Sequence, residues 1–281
     1  MREVLIGFDS AWADRPGKPG AIAGYIQGGG RSPIVHLPRL VTFGDARQVI
    51  QDWTAGADYV LIAIDLPTIV PNDEGGRPVD RVAGSLISKL KGGVQMARRT
   101  GNSAAMFGDD APIWSFLNDV NALQNPIEAR EATDGRFLIE VFPALALPAM
   151  VPTIWQRRRG AKYNPTKKNF ERSDWVMVAS AVAAAAQDMG AGELGDWLEM
   201  LASLETPIKK DQDQLDAAIC LAIAWVWRHG PTGNLLQIGD ERTGYMATIV
   251  SADTRSMLAE AAVARGVGLD RLWDVRPPKP F

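Results

Sequence analysis

Acidic residues stand in this chain where folding alone gives little reason for an acid. Asp9 closes the apolar run Val4–Phe8, and Asp65 closes Tyr59–Ile64. Glu140 lies inside Phe137–Phe142, and Asp216 opens the helical run that continues to Ala224. An ionised carboxylate withdrawn from water without a partner costs several kcal/mol. Four of them in core-forming segments predict a shared cation. Asp213, three residues before Asp216, shares its helix face and is a fifth candidate ligand; Asp211 is turned off that face. Mg²⁺ or Mn²⁺ suits an all-oxygen ligand set and keeps several waters. Two such ions about 3.5–4 Å apart stabilise the attacking and leaving oxygens of an in-line phosphoryl displacement, with no histidine needed.

Each acid taken singly has a plainer reading. Asp9 would cap a turn, and Asp65 would bond its own backbone before Leu66-Pro67. Asp213 and Asp216 would be acids favoured near a helix N-terminus. Glu140, mid-strand between apolar neighbours, is the hardest to explain that way. Taken together, the metal-site reading leads.

The other function classes are thinly supported. Of 281 residues, 46% are hydrophobic and 22% charged, the balance of a soluble globular protein with ample core. The single cysteine, Cys220, precludes a disulfide within the chain and fits a reducing cytosol; inside an apolar helix it reads as a small hydrophobe. With only His36 and His229 besides, a zinc site of the usual kinds is disfavoured. Neither histidine has an evident serine or cysteine partner for a hydrolase triad. His36 reads as a packed strand residue and His229 as a helix C-terminal cap. The N-terminal residues lack the pattern of a secretory leader. The longest apolar run, Ala217–Trp227, is about half of the roughly twenty residues that a membrane span requires. A cytoplasmic protein that does not enter the membrane is expected, with its oligomeric state open.

The elements needed to position the acids follow from periodicity. Strands are predicted over 4–9, 21–27 and 33–43, with a loop over 10–20, and the short connections favour antiparallel pairing. A helix over 44–56 precedes a strand over 58–65 that is apolar throughout, as in a central parallel strand. An insertion over 70–135 separates it from a strand over 137–142. Helices follow over 174–189 (with Asp174 as N-cap), 192–204 and 211–229. An extension over 232–281 adds a hairpin over 235–249, turning at Gly239-Asp240, and a helix over 253–265. The whole, 1–281, reads as one α/β domain with the element order of the RNase H-like fold: a mixed five-stranded sheet flanked by helices, with a helical insertion and a C-terminal extension. That order puts the first strand mid-sheet beside the fourth, so Asp9 and Asp65 approach at neighbouring strand ends. A late helix then carries Asp213 and Asp216 to the same place.

Gly7-Phe8-Asp9-Ser10-Ala11-Trp12, Ile64-Asp65-Leu66-Pro67, Arg77-Pro78-Val79-Asp80-Arg81, Glu140-Val141-Phe142-Pro143 and Asp213-Gln214-Leu215-Asp216-Ala217 occur in this order. The set resembles a domain-of-unknown-function family of bacteria and archaea described as predicted RNase H-like nucleases, over about residues 4 to 250. The resemblance implies a metal-dependent nuclease in which Asp9, Asp65, Glu140 and Asp216 are the catalytic, metal-binding acids, with Asp213 an additional one.

The segment Gln156–Arg172 carries seven basic residues against one acid, although the whole chain has a net charge of −3. Arg157, Arg158, Arg159, Lys162, Lys167 and Lys168 are candidate phosphate contacts, with Trp155, Tyr163 and Phe170 interleaved for stacking on a nucleic acid strand. A salt-bridged protein face is an equal reading. Arg77 is open to a local ion pair with Asp80 or to a substrate phosphate. Two further functions are weighed. One is an ATP-using phosphotransferase of the actin and sugar-kinase type, for which Gly28-Gly29-Gly30 and Gly92-Gly93 are poor phosphate loops. The other is a non-catalytic nucleic-acid-binding protein, which has little reason to keep the acids.

Overall fold

The first strand is buried from Glu3 to Asp9 because it lies in mid-sheet. A computed structural model describes residues 1–10, 14, 17–30 and 32–270. Residues 11–13, 15 and 16 of the expected 10–20 loop, including Trp12 of the first motif, and the end of the 232–281 extension lie outside the described residues. In chain order the elements begin with β1 (Arg2–Asp9), β2 (Gly20–Gly28), β3 (Ile34–Val41), α1 (Phe43–Thr54) and β4 (Tyr59–Asp65). The insertion contributes α2 (Pro78–Lys89), α3 (Ala104–Phe107), α4 (Pro112–Val120) and α5 (Pro126–Glu131), and β5 (Gly135–Glu140) follows. Then come α6 (Pro143–Met150), α7 (Pro152–Gln156), α8 (Arg172–Asp188), α9 (Gly192–Ser203) and α10 (Lys209–His229). A hairpin of β6 (Leu235–Asp240) and β7 (Gly244–Ile249) precedes α11 (Ala252–Val263).

The sheet order is β3-β2-β1-β4-β5. β1 is antiparallel to β2 and parallel to β4, and β4 is parallel to β5. This is the RNase H-like arrangement expected from the element order. Strand alternation divides the core into two layers. Val4, Ile6, Phe8, Ile62 and Ile64 pack with α1 and α4, where Phe8, Phe43 and Phe116 form a ring cluster. Leu5, Leu61, Ala63 and Ile139 pack on the other face with α8 and α10. The insertion is part of both layers: α2 fills the α10 side, and α4 covers the other.

The long helix α10 lies directly on the sheet, across β1, β2 and β4. The absence of a side chain at Gly7 permits this. A Cβ there would lie 2.2 Å from the Leu221 backbone nitrogen and 2.3 Å from the Ala217 carbonyl oxygen. Neither is the end of a flexible side chain, so the helix itself would have to move.

Three expectations are corrected in detail. Asp174 does not cap α8, whose N-cap is Glu171; its carboxylate instead accepts from Arg157 (2.7 Å) and from the Lys162 backbone N–H (2.6 Å). The C-terminal hairpin turns after Asp240, whose carboxylate accepts the backbone N–H groups of Arg242 and Thr243, so Gly239-Asp240 end the strand instead of forming the turn. Asp216 lies two turns inside its helix, which starts at Lys209. Among the described residues no helix is long and apolar enough to cross a membrane.

Gly7→Ala should therefore lower the stability of the fold by about 3 kcal/mol or more, beyond ordinary core overpacking. Chemical denaturation monitored by circular dichroism reads this directly; an unchanged midpoint would show that α10 does not rest on β1 at this point.

Candidate metal centre

Asp9 and Asp65 are register partners at the C-terminal ends of the parallel strands β1 and β4. Neighbouring strands run about 4.8 Å apart, and alternation turns both side chains to the face covered by α10. That helix presents Asp213 and Asp216 one turn apart. All four acids line one cavity of about 670 Å³, together with Lys18, Lys209 and Lys210. Asp9, Asp213 and Asp216 are only 7%, 7% and 6% exposed, so their charges are poorly hydrated.

The electrostatics follow from this crowding. Burial, then the neighbouring charges of Asp216, Asp65 and Asp213, push the Asp9 carboxyl well above the usual carboxylate range. Burial, then Asp216 and Glu140, do the same to Asp65. Asp216 is pushed up to about 6 by burial, with Tyr163, Lys209 and Gln212 pulling the other way. Its Oδ1 accepts the Tyr163 hydroxyl at 2.7 Å, and its Oδ2 accepts the Gln212 amide at 2.6 Å. Lys209 pairs with Asp213. Burial favours the neutral amine at Lys209, but Asp213, Asp9 and Asp216 outweigh it and hold the ammonium charged.

Among the described residues no three histidine, cysteine or acidic side chains are already grouped as an ion's ligand set. The reason is visible in the contacts: Asp213 is turned to Lys209, and Asp216 is shared between Tyr163 and Gln212. The donor chemistry still fits Mg²⁺ or Mn²⁺, because the anionic groups at the cavity floor are all hard oxygens.

Glu140 does not join the cavity. It is register partner of Ile64, one position short of Asp65, so alternation turns it towards the side of Ile64. Arg77 meets it with two parallel bonds, Nη2–Oε1 at 2.6 Å and Nη1–Oε2 at 2.8 Å, and the Thr68 backbone N–H donates to Oε2 at 2.9 Å. Asp80 takes the other edge of the guanidinium at 2.8 Å. Arg77 has no exposure at all, which also removes it as a phosphate contact. The expected metal-ligand role of Glu140 is thus replaced by a buried Glu140–Arg77–Asp80 ion triad.

The basic segment divides in two. Arg157 bonds Asp174, and Arg159 bonds Glu171 at 2.6 Å, so both hold the α7–α8 connection together. Arg158, Lys167 and Lys168 are exposed. Lys162 and Lys167 line a second cavity of about 340 Å³, which shares Gln212 with the acidic one. Trp155, Tyr163 and Phe170 are half-buried and pack against the core.

A family model described as a protein of unknown function (DUF429) matches residues 7–241, a span that holds every acid considered above. The chain belongs to the DUF429 family. No curated protein and no solved structure matches it.

In this DUF429 protein, Lys209, Gln212 and Tyr163 belong to the site although the sequence reading did not assign them to it. Two had a signal: Lys209–Asp213 and Gln212–Asp216 are both i,i+4 pairs on α10. Tyr163 reaches Asp216 from a loop, and nothing in the sequence marks that meeting.

Two outcomes are expected. Asp9, Asp65 and Asp216 bind protons more tightly folded than unfolded, so their stabilising contribution is complete below their ordinary value of 3.8 and is lost as pH rises, through about 6 for Asp216. In the presence of a chelator, Asp9→Asn should therefore melt higher than wild type at pH 7.5, with the gain vanishing towards pH 4; equal melting at both pH values would mean the acids do not repel. Arg77→Met leaves two buried carboxylates uncompensated and should cost about 3–5 kcal/mol in a urea titration; a loss under about 1 kcal/mol would place Glu140 and Asp80 in water.

Proposed function

We infer that this protein is a metal-dependent hydrolase of phosphodiester bonds in nucleic acid. The observation that carries the reading is the convergence of Asp9, Asp65, Asp213 and Asp216, from elements some two hundred residues apart, in one cavity rimmed with lysines. Acids alone at a floor would suit many cations. Acids with Lys18, Lys209 and Lys210 around them suit a cation and a phosphate together.

Asp9 and Asp65 would hold one Mg²⁺ or Mn²⁺ ion between them, and Asp216 with Asp213 a second. When bound, such ions activate water and stabilise the oxygens at the phosphorus. The protein's own part is positional. The strand register fixes the spacing of Asp9 and Asp65, while Tyr163 and Gln212 fix the plane of the Asp216 carboxylate. Lys209, now on Asp213, is placed to turn to an incoming phosphate. Lys162, Lys167, Lys168 and Arg158 would take phosphates further along the strand. A single buried cysteine fits action in a reducing compartment such as the cytoplasm.

The phosphotransferase alternative is weakened by position. Gly28 pairs with Arg2, so the Gly28–Gly30 turn lies at the opposite end of β1 from Asp9, away from the acidic cavity. The non-catalytic alternative leaves unexplained why four repelling acids are held together.

End-labelled single-stranded DNA and RNA, each with Mn²⁺, test the reading. Cleavage is expected that EDTA abolishes and that Asp9→Asn lowers at least about a hundredfold. The double variant Lys167→Ala/Lys168→Ala should keep kcat but weaken strand binding, and flatten its log–log salt dependence by roughly 1.4. Cleavage retained by Asp9→Asn, or no cleavage of either strand by wild type with Mn²⁺ bound, would contradict the proposal.

A further inference from the structure

Gln212 occupies the acidic cavity with half of its amide unused. It lies one turn before Asp216 on α10, is 7% exposed, and lines both the acidic cavity and the neighbouring basic one. Its Nε2 donates to Asp216 Oδ2 at 2.6 Å. An ionised carboxylate only accepts, so the amide must turn its NH₂ group to Asp216, and the direction of Oε1 is fixed by chemistry. That Oε1 is buried and has no hydrogen-bond partner. A buried carbonyl without a donor is destabilising, and one held in place by its own NH₂ group cannot swing away to find one.

The missing donor can be described by class. Phosphate oxygens and carboxylates are acceptors and would be repelled by Oε1. Lys209 is paired with Asp213 and turns to phosphate when it leaves, Lys162 donates to the Lys91 carbonyl, and the exposed Lys167 stays with the solvent and the strand. The Tyr163 hydroxyl already donates to Asp216. What remains is a small neutral O–H donor inside a cavity lined by acids: a water molecule.

We propose that Gln212 Oε1 accepts a hydrogen bond from the water that attacks phosphorus, and so aims that water's lone pair along the line of displacement. The inference rests on the phosphodiesterase reading above and adds a catalytic residue to it. In the step, the water oxygen bonds phosphorus while the bond from phosphorus to the leaving nucleoside oxygen breaks, its electron pair staying on that oxygen. One water proton passes by way of a cavity carboxylate to the leaving oxygen. The other, on the side of Gln212, stays on the new phosphate hydroxyl. Gln212 itself gains and loses no proton; it orients.

The test compares wild type, Gln212→Leu and Gln212→Glu by calorimetric titration with Mn²⁺ and by turnover of bis(p-nitrophenyl) phosphate and a fluorescent oligonucleotide. Both variants lose the NH₂ bond to Asp216, but only Leu loses the oxygen. Both variants are expected to lose some Mn²⁺ affinity with the Asp216 bond, but at saturating Mn²⁺ the kcat of Gln212→Leu falls about ten- to a hundredfold with KM kept. Gln212→Glu should regain part of that kcat. A wild-type kcat in Gln212→Leu would overturn the proposal. So would parallel losses of Mn²⁺ affinity and kcat in both variants, which would make Gln212 only a tether for Asp216. Gln212→Met replaces Leu if melting shows that Leu does not fold. Wild type that neither binds Mn²⁺ nor cleaves either probe marks failure of the underlying phosphodiesterase reading; wild-type activity with an indifferent Gln212→Leu marks failure of this inference alone.

Discussion

The mutual repulsion of four carboxylates, forced together by the way α10 lies on the sheet, governs the rest of this structure. The helix cannot retreat, because its central turns supply core residues from Leu215 to Ala224. It cannot tilt freely, because its backbone meets β1 at Gly7. Two residues along that strand is Asp9, whose register partner is Asp65. The hydrophobic contact that stabilises the fold is thus the same contact that concentrates negative charge. Burial makes this charge expensive, and the shifts of Asp9, Asp65 and Asp216 all have burial as their largest cause.

The protein relieves buried acids in two ways. Glu140 and Asp80 share an internal cation, Arg77, in a closed and fully bonded arrangement. Such a triad fixes geometry and needs nothing from outside: it ties the entrance of α2 to the end of β5 and to the Thr68 backbone. The cavity acids receive only a partial internal remedy. Lys209 pairs with Asp213 from a half-exposed position, while among the described residues Asp9 and Asp65 form no ion pair. The difference separates a structural acid from a site acid more cleanly than burial does, since Glu140 is buried more deeply than Asp9.

Much of this was legible in the sequence. The apolar runs ending in Asp9 and Asp65 named the two central strands, and the two short connections that join the first three strands favoured the antiparallel half of the sheet. The Asp213–Asp216 spacing identified the face of α10 that meets those strands. Glu140 was misread because sequence shows that an acid is buried but not with whom. Its partner Arg77 lies sixty-three residues away, and the one-residue offset that separates Glu140 from Asp65 is a property of pairing, invisible in either strand alone. Similarly, the basic segment showed its charge but not its counter-ions: Arg157 and Arg159 answer Asp174 and Glu171, while Arg158, Lys167 and Lys168 face out. The placement of Tyr163 against Asp216 depends on how a loop closes over the helix, for which no periodicity exists.

A crystal soaked in Mn²⁺ and examined for anomalous scattering tests the central claim most directly. The account predicts a peak about 2.1–2.3 Å from oxygens of both Asp9 and Asp65, with Lys209 released from Asp213 and Glu140 still on Arg77. A cavity without anomalous signal at saturating Mn²⁺, with Lys209 unmoved and the two strand-end acids sharing a proton, would contradict it.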